Sequence, residues 1–151
     1  MESGPSHERL NRKIIDSLYV EAMVLADEAR SYFDRAKDDG IFQGSPLLRI
    51  TLSCESIKVT TRLMNIVSWL LTRRTHFSGA RGVQPAQFQK LSHAPTSARQ
   101  GLVGLPDEAQ IIIEASVDLY ARIARIDHDR DLQPLVASPV RSLLRQIESA
   151  F

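Results

Sequence analysis

Apolar residues recur at three- and four-residue steps through three stretches of the chain, and the pattern predicts a helix in each. From about His7 to Lys37, Leu10, Ile14, Leu18, Ala22, Leu25, Ala29, Tyr32 or Phe33, and Ala36 fall on one long face. Asp38-Asp39-Gly40 ends this helix, with Gly40 suited to a left-handed cap. After a short link, Ser45-Pro46 reads as the N-cap and first-turn proline of a second helix that runs to Phe77. Two helices of about thirty residues, each on the order of 45 Å long, pack antiparallel when so short a link joins them. Leu105-Pro106-Asp107-Glu108 opens a third helix, with its acids near the positive end of the dipole. Its inner stripe is Ile112, Ala115, Leu119, Ile123 and Ile126, widened by Ile113, Val117, Tyr120 and Ala124.

The second helix is apolar over roughly two thirds of its circumference at about 100° per residue. Leu52, Ile57, Val59, Leu63, Met64, Ile66, Val67, Leu70 and Leu71 fill that arc. The remaining sector holds Thr51, Glu55, Lys58, Arg62, Asn65 and Arg73, with Trp69 in its middle. So wide an apolar arc faces more than one neighbour. An aromatic between cations on the polar side points to a surface that touches a partner.

Between the helices the chain is less regular. Residues 1–6, with Gly4 and Pro5, read as a loose arm. Residues 77–105 hold Gly79, Gly82, Pro85, Pro95, Gly101 and Gly104 and form a long connection, with a turn or two of helix around Pro85–Leu91. Asp127 to Asp131 is a charged exit from the third helix. In the C-terminal segment, 132–151, Ser138-Pro139 starts a short amphipathic helix with Val140, Leu143, Leu144 and Ile147. No repeat is visible and no strand is predicted. The expectation is one all-α domain over 1–151: an antiparallel three-helix bundle with long helices plus a short C-terminal helix. The third helix is too short to cover its neighbours. A second subunit against helices 1 and 2 is therefore expected, with Leu18, Leu25, Leu63, Ile66 and Leu70 in the core or the dimer contact.

Composition adds exclusions. The 151 residues carry 19 Lys and Arg against 18 Asp and Glu, a net charge of +1 that makes no global case for a nucleic-acid or membrane surface. No basic-then-apolar leader opens the chain, and its apolar runs fall far short of the ~20 residues that span a bilayer, so it reads as cytoplasmic. The single cysteine, Cys54, forms no internal disulfide and reads as a small buried apolar group.

The chemistry is sparse. His7, His76, His93 and His128 have no helical ligand partners, so no metal or cofactor is expected. Asp127-His128-Asp129-Arg130-Asp131 lacks the Gly and final Glu of a calcium loop and reads as a solvated helix end. Gly101-Leu102-Val103-Gly104 is too short for a phosphate cradle. A catalytic role for Cys54 needs an exposed thiol of low pKa, the opposite of a mid-helix apolar setting. These features favour a non-enzymatic, protein-binding chain. Arg62, Trp69, Arg73 and Arg74 on helix 2, with Arg122 and Arg125 on helix 3, are the expected partner contacts. Quieter readings stand beside this one. The long connection folds over Trp69, Arg73-Arg74 complements the helix dipole, and Arg122 and Arg125 pair with Asp118. Two alternative functions are a nucleic-acid-associated regulator using Arg62, Arg73, Arg74 and Arg81, and a small-ligand sensor or enzyme built on Cys54.

Three stretches carry a family resemblance. They are Leu18-Tyr19-Val20-Glu21-Ala22-Met23 with Tyr32-Phe33-Asp34, and Glu55-Ser56-Ile57-Lys58-Val59-Thr60-Thr61-Arg62-Leu63-Met64 continuing to Ser68-Trp69-Leu70-Leu71 and Arg73. The third is Leu105-Pro106 with Ser116 and Leu119-Tyr120-Ala121-Arg122-Ile123-Ala124-Arg125-Ile126-Asp127. Across about residues 15 to 130 the chain resembles the RcdA family, the alphaproteobacterial regulator of CtrA degradation. The resemblance implies a dimeric three-helix bundle without catalytic residues. It further implies an adaptor that helps deliver substrates to the ClpXP protease through a response-regulator partner in cell-cycle control. The helix-forming C-terminus departs from the flexible tail of the best-known member, and Thr75-His76-Phe77-Ser78-Gly79 departs from the usual continuation.

Overall fold

The computed structural model describes residues 5–38, 40, 45–77 and 89–150, with side chains throughout except at 5 and 130–145. Its elements are α1 (Pro5–Asp38), α2 (Pro46–Phe77), a single helical turn α3 (Arg99–Leu102) and α4 (Asp107–Ala150), with no strand among the described residues. The predicted termini have local causes. Gly40 takes a φ of 62° just beyond α1, which costs a glycine little. The Ser45 hydroxyl accepts the Leu48 N–H at 3.4 Å, and Pro46, which has no N–H, occupies the first turn of α2. Asp107 and Glu108 stand in the first turn of α4, at its positive end.

The three long helices pack against one another. Asp16, early in α1, meets Arg74, late in α2, at 3.2 Å, and Arg35, late in α1, meets Glu108, early in α4, at 3.3 Å. α1 is therefore antiparallel to both. Arg62 meets Ser116, and eleven residues further along both helices Arg73 meets Asp127, so α2 and α4 run in the same direction. The chain leaving α2 must accordingly travel back along the bundle before α4 can begin.

The core is a single cluster drawn from all three helices. Leu18 and Leu25 of α1 and Leu63, Ile66 and Leu70 of α2 are buried in it, together with Ile112, Ile113, Leu119 and Ile123 of α4. These leucines and Ile66 are core within one chain. Several expectations change. Leu10 and Ile14 are exposed, and Ile15 carries the inward face at the start of α1. The charged stretch from Asp127 does not end the third helix. Helix continues through the C-terminal segment, whose predicted helical turn from Ser138 is the last part of α4. Cys54 is exposed, because it lies on the side of α2 turned away from α1 and α4. Ile57, Met64 and Leu71 of the apolar arc are exposed as well. The turn of helix expected around Pro85, and Arg81, lie outside the described residues, as do the side chains of Val140, Leu143 and Leu144.

Candidate functional site: a polar seam under the returning chain

α2 turns its polar sector inward. Glu55, Arg62, Trp69 and Arg73 are buried, the last three only 2–3% exposed. Spacings of seven, seven and four residues put them on one side of the helix, towards α4. This overturns the expected exposed stack of Arg62, Trp69 and Arg73. The covering reading of Trp69 is the one the fold realises.

The cover is the returning chain, residues 89–98. It is non-helical from 89 to 98 and buries Ala94. Its carbonyls are taken in order by α2 side chains. Arg73 Nη1 donates to Gln89 O at 3.1 Å, Asn65 Nδ2 to His93 O at 3.2 Å, and Arg62 Nε to Pro95 O at 3.1 Å. At the far end the Ser97 hydroxyl donates to Glu55 Oε2 at 2.5 Å. From Arg73 back to Glu55 is about 27 Å along a helix, and eight residues of nearly extended chain cover about the same length. An extended segment in a helix groove has no neighbouring strand to satisfy its backbone. Here Arg and Asn side chains supply donors as a sheet partner would.

α4 closes the other side. Tyr120 Oη donates to Ser92 O at 2.7 Å. Asp127 accepts three hydrogen bonds, from Trp69 Nε1 at 3.0 Å, Arg73 Nη2 at 3.2 Å and the Leu91 N–H at 3.0 Å. The Arg73 guanidinium also lies 3.6 Å above the Trp69 ring centre. At the second anchor, Arg62 Nη1 donates to Ser116 Oγ at 3.0 Å, and Nη2 donates to Ser97. Ser97 thus links the Arg62 cation to Glu55, which also holds Lys58 at 3.1 Å. Burial lowers the Arg62 pKa from its usual value, and the nearby Glu55 carboxylate works against that shift.

The other predicted contacts separate. Arg74 pairs with Asp16 and lies 4.4 Å from the centre of the Tyr19 ring, joining α1 to α2. Arg122 takes the Asp118 pairing at 3.2 Å and also reaches Glu21 across to α1. The hydrogen bonding that Arg122 donates to Glu21 is the chief cause of its raised pKa. Arg125 is exposed on α4. Among the described residues, the basic cluster proposed for nucleic acid therefore does not assemble at the surface. Arg62 and Arg73 face the interior, and Arg74 is engaged with α1. The sequence pattern marks Asp127 as a solvated helix end and Tyr120 as part of the inner stripe, and it gives Ser97 no role, so none of the three is expected in this seam. The signal for Asp127 was its position eleven residues from Ser116, on the face α4 shows to α2.

The seam is built to hold chain. Among the described residues there is no group of three His, Cys, Asp or Glu able to hold a metal ion. Among them, too, no helix is long and apolar enough to cross a membrane. The model of a family described as a protein of unknown function, DUF1465, matches residues 6–151. No curated protein and no solved structure matches the chain.

Proposed function

We propose that this chain, which belongs to the DUF1465 family, is a non-enzymatic protein-binding adaptor that works as a homodimer in the cytoplasm. The observation that carries the reading is a division of labour between inside and outside. The inward-facing cations and carboxylates Glu55, Arg62, Arg73 and Asp127 are engaged in holding residues 89–98, whereas α1 and α2 show ordered apolar side chains to solvent. Val20, Met23 and Val24 of α1 and Ile50, Ile57, Met64 and Leu71 of α2 are all exposed. Exposed aliphatic rows on a well-packed bundle are contact surface for other proteins.

The resemblance to the RcdA family supports a narrower version, in which the partners are a response regulator, protein substrates and the ClpXP protease. Depleting the protein from its own cells then lengthens the half-lives of ClpXP substrates measured by pulse-chase. A Val20→Glu/Val24→Glu variant that stays helical fails to restore them. Substrate half-lives that do not change on depletion overturn the adaptor reading.

A further inference from the structure

The outward side of α2 carries a regular seam. Ile50, Ile57, Met64 and Leu71 stand seven residues apart and are all exposed, Ile57 and Met64 at 66%. Between them at the alternate four- and three-residue steps lie Cys54, Thr61, Ser68 and Thr75, small and uncharged. This is a heptad pattern with one large and one small position per repeat, sustained for about 37 Å of helix at 1.5 Å per residue. Two of its three hydroxyls already have acceptors within the helix. Thr61 donates to Ile57 O at 2.9 Å and Thr75 to Leu71 O at 2.8 Å. The flanking Thr60 and Thr72 likewise bond back to carbonyls of their own helix. A partner can cover these groups without leaving a donor unsatisfied.

We propose that this seam pairs with the same seam of a second copy of the chain, the two α2 helices running antiparallel with the two-fold axis level with the interval between Thr61 and Met64. The inference rests on the homodimeric reading above and specifies its interface. The orientation follows from the sizes of the residues. In a parallel pair each side chain meets its own equivalent, so large layers alternate with layers of Cys, Thr and Ser that leave gaps. In the antiparallel pair every large residue meets a small one. Ile57 faces Ser68 of the partner subunit, Met64 faces Thr61 of the partner subunit, Leu71 faces Cys54 of the partner subunit, and Ile50 faces Thr75 of the partner subunit. Of the charged residues beside the seam, Lys58 and Arg74 come level with Val67 and Thr51 of the partner subunit, and Arg49 comes level with His76 of the partner subunit, so no Lys or Arg meets another. Asp16 and Tyr19 against Arg74 set the α1 register, which puts Val20 and Met23 at the level of Val67–Leu71 and widens the apolar surface there. That added width brings a one-helix seam towards the ~800 Å² per partner of a stable interface.

The lone cysteine makes the orientation testable. Antiparallel pairing holds the two Cys54 residues about 26 Å apart, beyond the ~7 Å Cα separation a disulfide spans. It also sets Cys54 against Leu71. Wild-type protein at micromolar concentration is expected to give a two-chain mass in light scattering. Met64→Glu, at a position exposed in the single chain, gives a one-chain mass with unchanged helicity, and Ile57→Lys repeats the result should that variant lose structure. Under mild oxidation the wild type stays uncrosslinked. Leu71→Cys becomes a covalent dimer, and adding Cys54→Ser abolishes the link. A one-chain mass for the wild type overturns the interface and leaves the adaptor reading to the half-life measurement. A wild-type dimer that crosslinks through Cys54 alone, or a Leu71→Cys variant that does not crosslink, overturns the antiparallel arrangement.

Discussion

Replacing Asp127 with alanine removes the carboxylate on which the returning chain, Trp69 and Arg73 converge. Arg73 and Asp127 have side chains only 3% and 13% exposed, so their ion pair at 3.2 Å is a buried one. Removing one member of such a pair typically costs about 3–5 kcal/mol, because the remaining charge stays in a poorly solvated site. Two more donors, the Leu91 N–H and Trp69 Nε1–H, lose their acceptor, at about 1–3 kcal/mol each where water cannot replace it. These costs do not add in full. Arg73 keeps its bond to Gln89 O, and the partial exposure of Asp127 admits some water. The expected loss is about 4 kcal/mol, a large share of the ~5–15 kcal/mol that holds a domain folded. Urea unfolding followed by circular dichroism measures it, with the slope checked for constancy.

Coupling separates a specific pair from a generally fragile spot. The double variant Arg73→Met/Asp127→Ala should lose less than the sum of the single losses by about 2 kcal/mol or more, since each single change leaves the other group stranded. Trypsin supplies a local reading. In Asp127→Ala, cleavage at Lys90 should accelerate under conditions where α1 and α2 remain intact, because the Leu91 N–H has lost its anchor. A single-variant loss below about 1 kcal/mol, with unchanged cutting at Lys90, refutes the view that this carboxylate fastens the returning chain.

Other substitutions test separate parts of the same account. Arg62→Lys keeps the charge but cannot reach Pro95 O, Ser97 and Ser116 together, and should lower stability by about 2 kcal/mol in the same unfolding assay. Trp69→Phe removes the bond to Asp127 and part of the ring but keeps an aromatic face under Arg73, for about 1–2 kcal/mol, whereas Trp69→Ala leaves a larger cavity and costs about 3–5 kcal/mol. Equal effects from those two substitutions would count against Trp69 as a packed residue. Gly104→Ala should cost about 1–2 kcal/mol, because φ there is +98° and the added Cβ would stand 3.4 Å from Leu48. The exposed Arg35–Glu108 pair, with both side chains about 60% accessible, should contribute under ~1 kcal/mol, so Glu108→Gln leaves the unfolding midpoint nearly unchanged.

Much of the fold is legible in local pattern, because helix periodicity and caps act over a few residues. Ser45-Pro46 and Gly40 mark termini that the structure keeps, and the span of α2 matches its pattern from Pro46 to Phe77. The continuation of α4 was harder to read. A run such as Asp127-His128-Asp129-Arg130-Asp131 resembles a solvated end, yet Asp127 faces one cationic and one indole donor across the groove. The heptad seam was hidden differently. Ile57, Met64 and Leu71 share one broad apolar arc with Leu63, Ile66 and Leu70, and periodicity alone cannot divide an arc between a neighbour in the same chain and a neighbour in another.

The inward turn of the α2 polar sector follows from topology. Because α2 and α4 run the same way, the connection between them must return along the bundle, and residues 89–98 do so without helix or sheet pairing of their own. Such a segment needs a groove that provides donors for its carbonyls. On α2, Arg62, Asn65 and Arg73 offer donors at intervals that match an extended chain, and the apolar arc offers none. Once the polar sector faces the returning chain, helical geometry carries Ile50, Ile57, Met64 and Leu71 to the outside. The same rotation that buries Trp69 therefore exposes the aliphatic seam. Substitutions at the buried cations should report through stability, and substitutions in the seam through association.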